Sequence, residues 1–268
     1  MQNYEKYNLR WFELHAVDHC NLNCLNCNHH SLYARKKEYS PALFFPHIDE
    51  MIKRNIIFNS IGIIGGEPFL HSDITNFSNE IKSRYKFANI MITTNGFWLN
   101  RYKEYNKLFS IISRFIISIY EPIEKSIGGR NKIIEIIKNI SSSHPHIKFE
   151  VRGPVNKFGE VQFSSEPIKP TKYCHWQSDC TNLLPNGRLA RCGVGAYANK
   201  NPNVTKEFLS DNKDMFYDLT VDDGRSFKEW KEKYPLKACY FCNHWQTNLK
   251  DWQNASKKDI RKQFKRLF

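Results

Sequence analysis

The chain has 268 residues, 41% of them apolar, and a formal net charge of +13; that length buries a full core and makes one or two domains. No apolar run reaches the ~18–20 residues of a membrane span, and the opening Met-Gln-Asn-Tyr-Glu-Lys-Tyr lacks the apolar core of a signal peptide. Lysine and arginine are dispersed, apart from one dense run at the end, so no basic stripe with interleaved aromatics marks a nucleic-acid module. Eight cysteines grouped at metal-ligand spacings suit a reducing cytoplasm, not a secreted disulfide scaffold.

Residues 9–17 alternate as a strand and deliver Cys20, Cys24 and Cys27, spaced C-x3-C-x2-C. Cysteine thiolates are the standard ligands of iron–sulfur clusters. Three of them on a four-iron cubane leave one iron open to a small molecule. Zinc wants four ligands, commonly from paired C-x2-C units, and a disulfide would leave one cysteine over. Ser40 and Pro41 then open a helix to about residue 54. A strand at 60–64 runs into Gly65-Gly66-Glu67-Pro68, where two glycines let the backbone approach a ligand. Ser72-Asp73 caps a helix to about residue 86, and a strand at 89–94 ends at Asn95-Gly96.

A third helix is expected over 101–113, a strand over 114–121, and a helix over 124–141 with isoleucine at 133, 134, 136, 137 and 140. The fifth strand, 147–152, puts Glu150 and Arg152 on one face and Phe149 and Val151 on the other. On an interior face, Arg152 would grip a carboxylate bidentately. Strand and helix alternate five times, which implies a parallel, right-handed sheet with its site at the C-terminal strand ends. Only 21 residues separate Arg152 from Cys174. The fold class is therefore α/β, a partial (β/α) barrel of about five to six parallel strands.

In the second half, Asn186-Gly187 marks a hairpin between Thr181 and Cys192. Cys174, Cys192, Cys239 and Cys242 form the pattern C-x12-G-x4-C followed by a distant C-x2-C. Four such cysteines suit zinc as well as an iron–sulfur cluster. Cys180 competes with Cys174 as a ligand; left over, it is a small buried residue or a hydrogen-atom donor. Ile260, Phe264, Leu267 and Phe268 share one face of a basic C-terminal helix that docks on this cap or on a membrane surface.

The triad after a strand, with Gly-Gly-Glu-Pro after the next strand, resembles radical S-adenosylmethionine (SAM) enzymes. In that family the open iron chelates the SAM amino and carboxylate groups. The cluster then cleaves SAM to a 5′-deoxyadenosyl radical that takes hydrogen from substrate. The resemblance assigns Cys20, Cys24 and Cys27 to a [4Fe–4S] cluster. It assigns Gly65, Gly66, Glu67, Pro68, Thr94, Asn95, Ser118 and Arg152 to SAM. Asn26 departs from the pattern, which has an aromatic residue before the third cysteine. The second cysteine pattern resembles the twitch domain, the single-cluster relative of the SPASM domain. That implies a second [4Fe–4S] cluster on Cys174, Cys192, Cys239 and Cys242, and a division into a barrel, 1–165, and a twitch-type domain with the C-terminal helix, 166–268.

Aminocyclitol dehydrogenases of antibiotic biosynthesis are similar in this respect. The implied reaction oxidises an alcohol of a small polyol, sugar, nucleotide-sugar or aminocyclitol to a ketone, with an electron passing to the second cluster. Cys-Asn-Leu-Asn-Cys and Cys-Asn-His-His-Ser also look like carbohydrate-modifying members. With 19 residues before Cys20, no peptide-leader domain is expected. Glu13, His15, Glu150, Arg152 and His175 are the candidate groups near substrate. A flavodoxin or ferredoxin would supply electrons. An epimerase with Cys180 as hydrogen donor is the alternative, and a zinc-stabilised nucleic-acid binder the third reading.

Overall fold

The computed structural model describes residues 4–174, 181–210, 214–222 and 224–256. Twelve strands are present among them. β1 (Tyr7–Leu9) and β3 (Ile56–Phe58) make a small parallel pair. β2 (Phe12–Val17), β4 (Ser60–Gly65), β5 (Asn89–Thr94), β6 (Ile112–Ser118) and β7 (Lys148–Arg152) form five consecutive parallel neighbours. β8 (Lys157–Gly159) and β12 (Leu249–Asp251) make an antiparallel ribbon. β9 (Asn182–Leu183), β10 (Arg188–Ala190) and β11 (Phe216–Asp218) complete the main sheet, in the order β11-β10-β9-β2-β4-β5-β6-β7.

One face of this sheet is apolar because the strands alternate. Phe12, Leu14, Ile61, Ile63, Ile90, Ile92, Phe115 and Ile117 are fully buried there. Helices α1 (Phe45–Lys53) and α2 (Ile74–Arg84) cover them with Ile48, Met51, Phe77 and Ile81. The opposite face is polar. It carries Glu13 against Gly62, and Glu150 paired to both Arg114 and Arg152. The mixed α/β architecture with a parallel sheet is that of a partial barrel, as the strand pattern implies.

Two helices differ from expectation. Between β5 and β6 the chain runs in 3-10 turns, Phe97–Tyr105, before a short α3 (Asn106–Phe109). Gly96 enters them at φ 82°, and Trp98 is buried with its ring 4.4 Å from Phe69. Anchoring this indole takes precedence over an unbroken helix, and β6 starts two residues early. The helix after β6 is two helices, α4 (Glu121–Ile127) and α5 (Arg130–Ser143). Gly128 and Gly129, at φ 100° and 94°, break it in the left-handed region.

The hairpin turns at Asn186-Gly187 as expected, with Gly187 at φ 81°. Its β9 pairs parallel with β2, Leu14 opposite Leu183, so the barrel sheet runs on into the cysteine-rich half. Arg54, nearly buried, donates to the carbonyls of Asp218, Leu219 and Val221 and to Glu50, stapling α1 to that half. No described helix is long and apolar enough to cross a membrane. The basic segment at 257–268 lies outside the described residues.

Candidate active site

β2 ends at Val17, and the triad loop folds directly onto the end of β4. Gly66 N–H donates to Val17 O (2.9 Å) and Glu67 N–H to His19 O (3.0 Å). A Cβ on Gly66 would sit 1.9 Å from His19 O, and one on Gly65 (φ 147°) 2.1 Å from Val17 O. The glycines thus admit the backbone of the triad loop itself, a nearer neighbour than the ligand the sequence suggests. Glu67 is buried beneath them. Its carboxylate accepts from Thr94 Oγ1 (2.7 Å), Asn95 N–H (2.7 Å) and Phe69 N–H (3.2 Å). Burial pushes it up to about 7, against the pull of those donors. Asn95 Nδ2 in turn donates to Asn21 Oδ1 (2.7 Å) inside the triad loop. Thr94, Asn95 and Glu67 therefore brace the loop that carries the cysteines.

The three triad thiols lie close enough to act on one another electrostatically, and burial pushes Cys24 up to about 12. His19 Nδ1 and Asn28 Oδ1, on either side of the triad, are buried without a hydrogen-bond partner. Three soft thiols in a desolvated loop with spare polar atoms beside them fit a [4Fe–4S] cluster and a polar ligand on its open iron. Two further groups complete this end, and sequence reasoning missed both. Tyr120 lies two residues beyond Ser118, near Cys20, Cys24, Cys27 and Glu67; that strand-end spacing was the available signal. Trp252 Nε1–H donates to Cys24 Sγ (3.1 Å), from a segment no local pattern connects to the triad.

A cavity of about 340 Å³ opens against Cys24 and Cys27. Its hydrogen-bonding lining is neutral: Asn26, Tyr33, Gln162, Asn201, Asn203 and His30. Burial lowers His30 to about 4, so it is uncharged at neutral pH. His30 Nε2–H donates to Val194 O (3.2 Å), two residues from Cys192, while its Nδ1 accepts from Asn201 (3.2 Å). The segment just past Cys27 thereby touches the segment just past Cys192.

His15 lies in a buried network. Its Nδ1–H donates to Asp18 (3.0 Å), because a carboxylate only accepts, which leaves Nε2 to accept from His29 Nδ1–H (2.9 Å). Tyr39 O–H donates to Asp18 (2.8 Å), Lys200 pairs with it at 2.7 Å, and Tyr197 stacks on His15 at 3.9 Å. Burial opposes ionisation of Asp18, yet His15 and Lys200 together hold it well below the usual carboxylate range. Burial lowers His15 to about 4 despite Asp18. As pH falls below the ordinary 6.5, the unfolded chain binds this proton before the folded one does. Stability present above that value is therefore lost on acidification towards about 4. The stability gap between the wild type and His15→Gln, by anaerobic urea unfolding, is expected to narrow by about 2 kcal/mol from about pH 7 to about pH 5.

Cys174, Cys192, Cys239 and Cys242 line one small, almost wholly apolar cavity with Phe208, Met215 and Trp245. Gly195 N–H donates to Cys192 Sγ (3.4 Å) and His244 N–H to Cys242 Sγ (3.5 Å), the kind of sulfur contact that tunes iron–sulfur ligands. Among the described residues, no three His, Cys, Asp or Glu side chains, the triad's included, stand close enough to hold one ion. Four thiols around an apolar cavity suit a fully ligated cluster or a zinc ion alike.

The remaining candidates are spread over the polar face of the sheet. Ser118 ends β6, half-buried. Arg152 is exposed, its Nε donating to Glu150 (2.6 Å), and Glu150 also pairs with Arg114. Although burial works the other way, the two guanidiniums hold Glu150 below its usual range. Burial pushes Glu13 up to about 7, against the Trp11 indole and Arg152. His175 and Cys180 lie outside the described residues.

Residues 16–148 match the Radical SAM superfamily, and this part of the chain is a radical SAM domain. Among curated proteins, GTP 3',8-cyclase of Limosilactobacillus fermentum (strain NBRC 3956 / LMG 18251) is 28% identical over 150 residues, covering 50% of this chain and 42% of that protein. GTP 3',8-cyclase of Alkaliphilus oremlandii (strain OhILAs) is 30% identical over 98 residues, 36% of this chain and 30% of that protein. The chain thus spans less than half the length of these relatives. The structure of BtrN in complex with AdoMet and 2-DOIA shares the fold, with a TM-score of 0.55 at 18% identity over 89% of this chain and 94% of that one.

Proposed function

We propose that the chain is a radical SAM oxidoreductase that takes a hydrogen atom from a carbinol carbon of a small, sugar-like alcohol and, as the resulting radical gives up one electron and its hydroxyl proton, yields a ketone. One observation carries this reading: two separate cysteine groups, one of three thiols and one of four, sit on segments that the His30–Val194 hydrogen bond ties together. Cys20, Cys24 and Cys27 would hold a [4Fe–4S] cluster with an open iron for SAM; Cys174, Cys192, Cys239 and Cys242 would hold a second. When bound, these groups supply one-electron chemistry: reductive cleavage of SAM, fed by a flavodoxin or ferredoxin, and an acceptor for the substrate's electron. Residues 1–165 serve as the barrel and 166–268 as the twitch-type domain.

The chain's own residues do the rest. Gly65, Gly66 and Pro68 shape the turn packed on the triad loop, beside which SAM would bind, and Glu67, Thr94 and Asn95 hold that turn in place. Ser118 and Arg152 offer a hydroxyl and a guanidinium from the strand ends. Glu150 is held ionised by two arginines, which suits orienting Arg152 better than taking a proton. The neutral cavity beside Cys24 and Cys27 supports an uncharged, hydroxyl-rich substrate, because amide and phenol groups satisfy hydroxyls without a counter-charge.

The test is anaerobic turnover of reconstituted protein with SAM and reductant on a panel of sugars, nucleotide-sugars, aminocyclitols and GTP. A ketone formed in step with 5′-deoxyadenosine is expected with one hydroxylated ring. Deuterium from D2O at the product carbon without a ketone would make it an epimerase, and a cyclised GTP product would discard the alcohol reading.

A further inference from the structure

The far end of the chain returns to the triad. Trp252 N–H donates to Asn156 O (2.8 Å) just beyond the β8–β12 ribbon. The backbone then runs along the triad loop: Leu25 N–H donates to Gln253 O (3.0 Å), Ala255 N–H to Asn23 O (2.7 Å), and Asn23 N–H to Asn254 Oδ1 (2.7 Å). This register brings the Trp252 indole N–H to 3.1 Å from Cys24 Sγ, across a separation of 228 residues. The ring is steadied by Tyr120, 5.4 Å away, which stacks on Phe158. All of this strap lies outside the stretch that matches the family, 16–148.

We propose that Trp252 is a positioning residue of the first cluster site, its indole N–H holding the Cys24 thiolate and setting the potential of the group that the triad binds. The proposal rests on the reading of Cys20, Cys24 and Cys27 as cluster ligands. Reduction adds negative charge to a cluster and its sulfurs, and a donor aimed at a ligating sulfur stabilises that state, raising the potential. An indole only donates, so its direction is fixed. The three backbone and amide bonds of the strap hold the donor in register with the loop. The first site is therefore completed by residues just beyond β12.

Trp252→Phe keeps a ring and deletes the N–H. In a redox titration followed by electron paramagnetic resonance, the first-cluster signal is the one absent from Cys20→Ala. The expected result is unchanged iron per chain, a lower midpoint potential, and loss of one exchangeable-proton coupling at that signal after transfer to D2O. Retained iron with an unchanged potential and coupling overturns the proposal. If Trp252→Phe fails to load iron, 3-benzothienylalanine at position 252 keeps the bicyclic shape without the N–H; a lower potential supports the proposal, and a wild-type potential overturns it. A wild-type protein with no signal dependent on Cys20 would instead remove the cluster reading beneath it.

Discussion

Gly66→Ala is expected to leave too little folded protein to carry a site. The added methyl group would lie 1.9 Å from His19 O, 2.2 Å from His19 C and 2.8 Å from Cys20 N. These are backbone atoms, so no side chain can swing aside. The two strands' ends are also tied there, through Gly66 N–H to Val17 O and Glu67 N–H to His19 O. Relief means pulling the triad loop off β4 and exposing the buried Glu67. Overlap of this kind belongs with the rare single changes that cost more than ~4 kcal/mol, a large share of the ~5–15 kcal/mol that holds a domain folded. Gly129→Ala is the contrast: its φ is 94°, but nothing lies within 4 Å of the new Cβ. With ψ at 174° as well, it should cost only the strain of that glycine-favoured backbone conformation, about 1–3 kcal/mol. Urea unfolding of the two variants beside the wild type separates them. A Gly66→Ala protein with a wild-type midpoint would mean the loop does not lie on this turn.

Replacing Cys20, Cys24 and Cys27 together by alanine is expected to take SAM cleavage to the uncatalysed background. On this reading each thiolate is the ligand of one iron in a cubane, and the amide, phenol and imidazole groups nearby are poor replacements for three soft thiolates. The second cysteine group lines a separate cavity with its own apolar cover, so the triple variant should stay folded and keep whatever metal the proposal assigns to those four thiols. Cys239→Ala makes the complementary case, with 5′-deoxyadenosine still formed but no ketone. Chromatography of 5′-deoxyadenosine checks both. Cleavage surviving in the triple variant would move the chemistry away from the triad.

Much of this arrangement is legible in the sequence because it is local. The five strands announce themselves as short apolar or alternating runs, and the triad, Gly-Gly-Glu-Pro and Asn186-Gly187 each carry their meaning within a few residues. The four distant cysteines line one cavity, a grouping that only the resemblance to the twitch domain implied. What was illegible is long-range or competitive. The helix expected at 101–113 yields to the burial of Trp98, and the one at 124–141 to two glycines inside an isoleucine-rich run. The glycines at 65 and 66 read as ligand-facing, yet their nearest neighbours are carbonyls of the chain itself. β9 and β10 are only two and three residues long, so their joining of the barrel sheet leaves no periodic trace. Trp252 and Cys24 meet across most of the chain. His29 was the nearer miss: it follows Cys27 by two residues, and a histidine so close to a ligand invites a partner such as His15.

The central claim is that two cysteine groups hold two iron–sulfur clusters. Iron, acid-labile sulfide and zinc per chain after anaerobic reconstitution test it most directly, on the wild type, the triad variant and a Cys239/Cys242→Ala variant. The account predicts about eight irons in the wild type and about four in each variant, for two four-iron clusters, with no zinc. About four irons and one zinc in the wild type, with the iron lost only from the triad variant, would contradict it and make the second group a structural zinc site.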